Sequence, residues 1–288
     1  MFFAPFPARK PTHAEVKCGD HKLQAFDVWP AESKDSKPTP LCIYIHGGGF
    51  RGGDKRGGAG QAGAYLREGT SFASMNYRLS EGGKFPYPTA MHDAARGLQF
   101  IRSKVAEWNL DPERVVCYGG SAGAGISMWL AFHDDLAMPD AKNPIARQST
   151  RILAAGSSNG QSTYDIRTFR EWFGVPDLEI DQALRPFYAL ESDEDLKSER
   201  VIKLMEDASA ISHLDKGDVP VFMTYGRGDV PVDKLTASGV WVHHVRHGLK
   251  LKEAMDKVGL ECVVNSPEHK DDSYSGMRDF LIKKLRGG

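Results

Sequence analysis

Ser121 stands in Gly119-Gly120-Ser121-Ala122-Gly123, a G-x-S-x-G pattern. An apolar run at 114–119 precedes it and an apolar helical stretch follows, so the hydroxyl sits at a strand-to-helix turn. A turn that sharp would drive side chains two residues on either side of the serine into each other, and glycine at 119 and 123 removes the collision. The hydroxyl is thereby lifted to the top of a sheet at the amino end of a helix, the placement of a nucleophile that attacks a carbonyl. Such an attack puts negative charge on oxygen, and fixed N–H donors must await it. The stretch His46-Gly47-Gly48-Gly49-Phe50 follows another apolar run, and its glycines can turn backbone amides toward a cavity. The expected donors are the N–H groups of Gly48 and Gly49, with that of Ala122 after the serine. His46 reads as a residue that orients this loop.

A serine hydroxyl needs a base, and the base needs a partner that fixes its tautomer. When the nucleophile occupies such a turn, the carboxylate and then the histidine follow in loops after later strands. Asp229, in the loop after the run 219–226, is the expected carboxylate. Asp233 starts the next helical stretch and reads as a surface charge or cap. Ten histidines compete for the base. His269 lies between the last strand-like run and the last helical stretch, and is the expected base. His243, His244 and His247 fall on a helix expected over 236–258, from which reach to Ser121 is poor. His243 and His247 have a spacing that could hold a metal, but no carboxylate or cysteine pattern accompanies them. His213 reads as structural.

Gly47, Gly49 and Gly52 also match G-x-G-x-x-G, the fingerprint of a dinucleotide site. That reading wants an acidic residue at the end of the next strand, where the chain has Asn76. The chemistry expected of Ser121, Asp229 and His269 requires neither a cofactor nor a metal.

These residues need a scaffold that brings distant loops together. Apolar runs at 41–45, 71–77, 114–119, 151–156, 219–226 and 261–265 read as strands buried on both faces. Helical patterns near 87–106, 121–136, 236–258 and 273–286 alternate with them, which predicts crossovers and a mostly parallel sheet with helices on both faces. Runs at 13–18 and 23–29 read as antiparallel edge strands. Residues 1–288 read as one domain. Residues 157–213 are too long for a plain crossover and carry Tyr164, Phe169, Trp172, Phe173, Phe187 and Tyr188. They predict a helical lid inserted over the carboxyl edge of the sheet, the alternative being an enlarged crossover layer whose aromatics are core.

A formal net charge of −1 leaves no electrostatic footprint for nucleic acid. No apolar run is long enough to span a bilayer, and the opening ten residues carry two prolines and no basic segment ahead of their apolar part, so they do not read as a secretion signal. The expected compartment is the cytoplasm, or outside the cell if a leader has been removed. Cys42, Cys117 and Cys262 read as buried thiols, and no cysteine pair has metal-ligand spacing.

With these motifs in hand, the chain resembles the α/β-hydrolase superfamily. It looks most like the carboxylesterase branch related to hormone-sensitive lipase and to bacterial feruloyl or acetylxylan esterases. The carrying residues are His46-Gly47-Gly48-Gly49, Asn76-Tyr77-Arg78-Leu79, Asp111-Pro112, Gly119-Gly120-Ser121-Ala122-Gly123, the stretch 208–214, Asp229 and His269. The chain departs from that branch at Gly120 and Ala124, where aspartate and glycine are usual, and at Lys270, where glycine often follows the histidine. The resemblance implies a serine hydrolase of small-molecule carboxylic esters with short to medium acyl groups, acting through an acyl-enzyme. An amidase on the same residues and a catalytically silent receptor are the alternatives, and homo-oligomerisation is left open.

Overall fold

The computed structural model describes residues 9–33 and 35–287; most of the opening stretch considered above lies outside them. The strands are β1 (His13–Lys17), β2 (Ala25–Trp29), β3 (Thr39–Ile45), β4 (Ser71–Met75), β5 (Leu110–Gly120), β6 (Ala155–Ser158), β7 (Val221–Thr224) and β8 (Cys262–Asn265). They form one sheet in the order β1-β2-β4-β3-β5-β6-β7-β8. β2 runs antiparallel to β1 and β4, and every other neighbour is parallel. The two edge strands and the parallel core are those read from the apolar runs. β2 and β4 are buried along their whole length, as expected where both faces are covered.

The helices are α1 (Ala62–Arg67), α2 (Thr89–Ser103), α3 (Val105–Trp108), α4 (Ala122–Phe132), α5 (Ile166–Phe173), α6 (Leu184–Phe187), α7 (Glu199–Ala208), α8 (Ser238–Trp241), α9 (Arg246–Lys257) and α10 (Met277–Leu285). Two apolar clusters mark the two faces of the sheet. Tyr65 of α1 and Phe280 and Leu281 of α10 pack with Cys42, Phe72 and Val116 on one side. Met91 and Leu98 of α2, Ile126 of α4 and Leu251 of α9 pack with Ile43, Ile45 and Cys117 on the other. α4 is buried at every residue, which explains why its sequence is apolar all round. Cys18, Cys42, Cys117 and Cys262 are buried and unpaired.

The chain leaves β3 for β4 on one side and β5 for β6 on the other. At that reversal the loops after β3 and β5 diverge and open a crevice at the carboxyl ends of the strands. The glycine loop follows β3 and Ser121 follows β5, so topology alone brings them together.

Two expectations need revision. The strand expected at 151–156 begins only at Ala155. The helix expected over 236–258 is broken: α8 ends at Trp241 and α9 starts at Arg246. Tertiary partners take over the polar groups in the break. The Gln161 amide donates to the Val242 carbonyl at 2.6 Å, and the His244 ring bonds the Val230 carbonyl at 2.9 Å. In the long connection 157–213, Tyr164, Phe169, Phe187 and Tyr188 are buried in the same cluster as the sheet. Among the described residues, no helix is long and apolar enough to cross a membrane.

Candidate active site

Ser121 adopts φ 49° and ψ −120°, a conformation that residues with a side chain rarely take, and forms the N-cap of α4. Its N–H is held by the Ser158 carbonyl at 2.9 Å. A Cβ on Gly119 would strike the Gly123 backbone and the Ile45 carbonyl, and one on Gly123 would strike the Ile45 and His46 carbonyls. The glycines are therefore required by the approach of β3, β5 and α4, as well as by the turn itself.

The loop after β3 uses positive φ at Gly48 (118°), Gly49 (58°) and Phe50 (59°). The Gly48 carbonyl turns back to accept the N–H groups of Arg51 and Gly52. The N–H groups of Gly48 and Gly49 have no acceptor among the described residues, and both glycines line one cavity with Ser121 and Ala122. His46 stacks on Tyr77 at 4.4 Å between ring centroids, and its Nδ1 lies 2.7 Å from the Gly47 carbonyl. Burial lowers the pKa of His46, so the neutral ring donates from Nδ1 and fixes the loop. Asn76, where a dinucleotide site wants an acid, accepts the Lys55 N–H and donates to Asp54 instead.

The imidazole beside the serine is that of His243. Its Nε2 lies 2.8 Å from Ser121 Oγ, and its Nδ1 lies 3.1 Å from the Gly239 carbonyl one turn earlier. A carbonyl can only accept, so Nδ1 carries the proton and Nε2 offers its lone pair to the hydroxyl. That is the tautomer a general base requires. His243 lies in the break between α8 and α9.

The expected base and carboxylate stand elsewhere. The His269 side chain is exposed; its carbonyl accepts the Ser266 N–H at 2.7 Å and its own N–H bonds Ser266 Oγ at 3.1 Å, while its ring bonds no described residue. Asp229 Oδ1 accepts from Arg246 Nε at 3.0 Å and lies 3.6 Å from His244 Nε2. It does not reach His243, whose second nitrogen faces a backbone carbonyl where a carboxylate was expected. Asp233 accepts from Leu235 and Thr236 as a local turn cap. The adjacent histidines His243 and His244 offered a signal, since neighbours on a turn present their rings in different directions. The helical pattern around them concealed it. His247 is fully buried between Phe169 and Trp172.

Two cavities meet at Ser121 and His243. One, of ≈ 430 Å³, has Gly48, Gly49, Tyr164, Phe169, Leu184 and Val242 among its walls and is mainly apolar. The other, of ≈ 460 Å³, is more polar, with Ser158, Asn159, Gly226 and Arg227 on its walls.

This geometry has known counterparts. The protein named as a probable carboxylic ester hydrolase, LipM, from Mycobacterium tuberculosis is 27% identical over 227 residues, which are 76% of this chain and 49% of LipM. The chain thus spans about half the length of that curated relative. The solved structure of a truncated carbohydrate esterase from gut microbiota matches with a TM-score of 0.71 at 18% identity, covering 98% of this chain and 99% of that one. An acetyl ester-xyloside bifunctional hydrolase from Caldicellulosiruptor lactoaceticus matches with a TM-score of 0.67 at 17% identity, over 92% of this chain and 89% of that one. The fold is that of the α/β-hydrolases, as the motifs implied. The BD-FAE family model matches residues 26–238, from β2 through the glycine loop and the nucleophile turn to the start of α8, and the chain belongs to the BD-FAE family.

Proposed function

We propose that the protein is a serine hydrolase of carboxylic esters with short to medium acyl chains. The observation that carries the reading is the 2.8 Å contact of Ser121 Oγ with His243 Nε2, whose other ring nitrogen faces the Gly239 carbonyl, beside the amides of Gly48 and Gly49, which have no acceptor among the described residues. The carboxylic ester hydrolase and carbohydrate esterase among its relatives support the same class of reaction.

His243 Nε2 takes the Oγ proton as the oxygen attacks the ester carbonyl. The negative charge moves to the carbonyl oxygen, which the N–H groups of Gly48, Gly49 and Ala122 receive. His243 then returns the proton to the departing alkoxide. Water repeats the sequence on the acyl-enzyme with His243 again as base. The Gly239 carbonyl holds the ring's tautomer but carries no full charge to offset the imidazolium. The acyl chain enters the apolar cavity, under the crossover 157–213, which serves as its cover. The alcohol lies toward Asn159 and Arg227.

A fluorophosphonate probe tests the reading, together with p-nitrophenyl acetate and the matching anilide. Stoichiometric labelling at Ser121, lost in Ser121→Ala, with the ester cleaved faster than the anilide, is the expected result. An unlabelled Ser121 in the folded protein would overturn it in favour of a binding protein.

A further inference from the structure

A second cluster of titratable side chains lies at the far end of the helix that carries the nucleophile. Ser121 caps the amino end of α4 and His133 caps its carboxyl end, about 18 Å along the axis. We propose that His133, Asp207 and His213 bind one divalent transition-metal ion of the zinc type there.

Each residue offers one ligand atom, and the three atoms lie within 4.8 Å of one another. His133 Nε2 is 3.9 Å from Asp207 Oδ1, and His213 Nε2 is 3.6 Å from the same oxygen. Ligands bonded to zinc at the usual lengths in a tetrahedron stand about 3.3 Å apart, so the two separations to Asp207 must close by roughly a few tenths of an ångström and the separation of the two rings, within 4.8 Å, by up to about 1.5 Å. The side chains have room for them: the rings are 19% and 21% exposed and the carboxylate 48%.

The outer contacts fit a metal as well. The Tyr87 hydroxyl donates to Asp207 Oδ2 at 2.6 Å, which leaves Oδ1 turned to the two rings. His133 Nδ1 lies 3.0 Å from the Asp134 carbonyl, so the proton is on Nδ1 and the Nε2 lone pair faces the carboxylate. Such partners orient ligands in established metal sites. Trp129 restrains both sides of the cluster, its ring 4.0 Å from that of His133 and its N–H bonded to the Asp207 carbonyl at 3.0 Å. His213 Nε2 now bonds the Asp207 backbone carbonyl at 2.7 Å. Metal binding shifts that ring's single proton to Nδ1 and exchanges this one hydrogen bond for a metal bond. Two neutral imidazoles and one carboxylate balance half of a dipositive charge, and the carboxyl end of α4 adds favourable potential. His92, whose ring centroid lies 6.1 Å from that of Trp129, is a third imidazole within the cluster's field. A bound ion would tie the end of the nucleophile helix to the α7–β7 connection, with a fourth position open to solvent.

Zinc chloride titrated into the metal-stripped full chain tests this, read by calorimetry and by thermal unfolding, with cobalt(II) as a spectroscopic substitute. One equivalent should bind. Zinc at about a hundred times its dissociation constant should raise the melting midpoint by roughly 5 °C or more. Both effects should vanish in His133→Ala and in His213→Ala and persist in His243→Ala. Circular dichroism without zinc checks that the variants fold, and His213→Gln supplies a milder substitution of similar polarity. Absence of saturable binding, a shift that survives loss of both His133 and His213, or a shift lost in His243→Ala would overturn the proposal.

Discussion

Replacing His243 by alanine, with His269→Ala alongside it, is the sharpest test of the site. Nε2 of His243 lies at hydrogen-bond distance from Ser121 Oγ, and its removal leaves the hydroxyl without a base. General-base catalysis is worth about 10²–10⁴ in rate, and the ring also returns the proton to the leaving group, so the upper part of that range applies. A loss of about 10³–10⁴ in kcat/KM is expected, or roughly 4–5.5 kcal/mol of transition-state stabilisation. A greater loss is not expected, because the Gly239 carbonyl orients the ring without neutralising it. His269 is tied only through its backbone, and its exposed ring touches nothing that the mechanism uses. His269→Ala should therefore stay within about twofold of the parent, as exposed substitutions ordinarily do. Initial rates on p-nitrophenyl acetate and butyrate, with active sites counted by fluorophosphonate labelling, separate lost chemistry from lost protein. If His269→Ala lost a hundredfold while His243→Ala kept most of its activity, the reasoning from geometry would be refuted.

Asp229→Asn should change kcat by less than about tenfold, where removing a carboxylate bonded to the base costs about 10⁴. The reason is that Asp229 contacts Arg246 and stands near His244 rather than His243, and a pH–rate profile of the variant checks it. Burial pushes the His247 pKa down to about 3, against about 6.5 in an unfolded chain. Between those values the unfolded chain binds the extra proton, so stability falls with acid by up to about 1.4 kcal/mol per pH unit, and is unaffected above that window. Urea unfolding of the parent and of His247→Leu at pH 7 and pH 5 should show a smaller acid loss in the variant, with a remainder from His46 and His244, which burial also shifts downward. Lys55 is buried and paired with Asp27 at 2.8 Å and with the more exposed Glu15 at 2.5 Å. Lys55→Met leaves Asp27 buried without a counter-charge, held only by the Glu15 N–H at 2.8 Å, and should cost about 3 kcal/mol, lowering the melting midpoint by roughly 6–12 °C. An unchanged midpoint would show that the pair is not needed.

The nucleophile turn and the glycine loop were legible because local rules govern them. Glycine at 119 and 123 answers a steric demand that any strand-to-helix nucleophile turn imposes, and the glycine loop after β3 must free its amides; both are written in a few consecutive positions. The alternation of apolar runs and helical patterns likewise determined a parallel sheet, because burial on both faces leaves a near-continuous apolar strand. The motifs also paired Ser121 with Gly48, Gly49 and Ala122, and the strand order of the folded sheet lines one cavity with all four. The imidazole was different. Periodicity continued across 236–258, and only the folded chain broke it, where the Gln161 amide caps the Val242 carbonyl and the Val230 carbonyl holds the His244 ring. Those partners are about eighty and fourteen residues away in sequence, so no local pattern records them. Tertiary hydrogen bonding therefore set the ring of His243, not that of His269, against Ser121, and a backbone carbonyl, not Asp229, against its second nitrogen, because a side chain's reach is set by where its backbone turns.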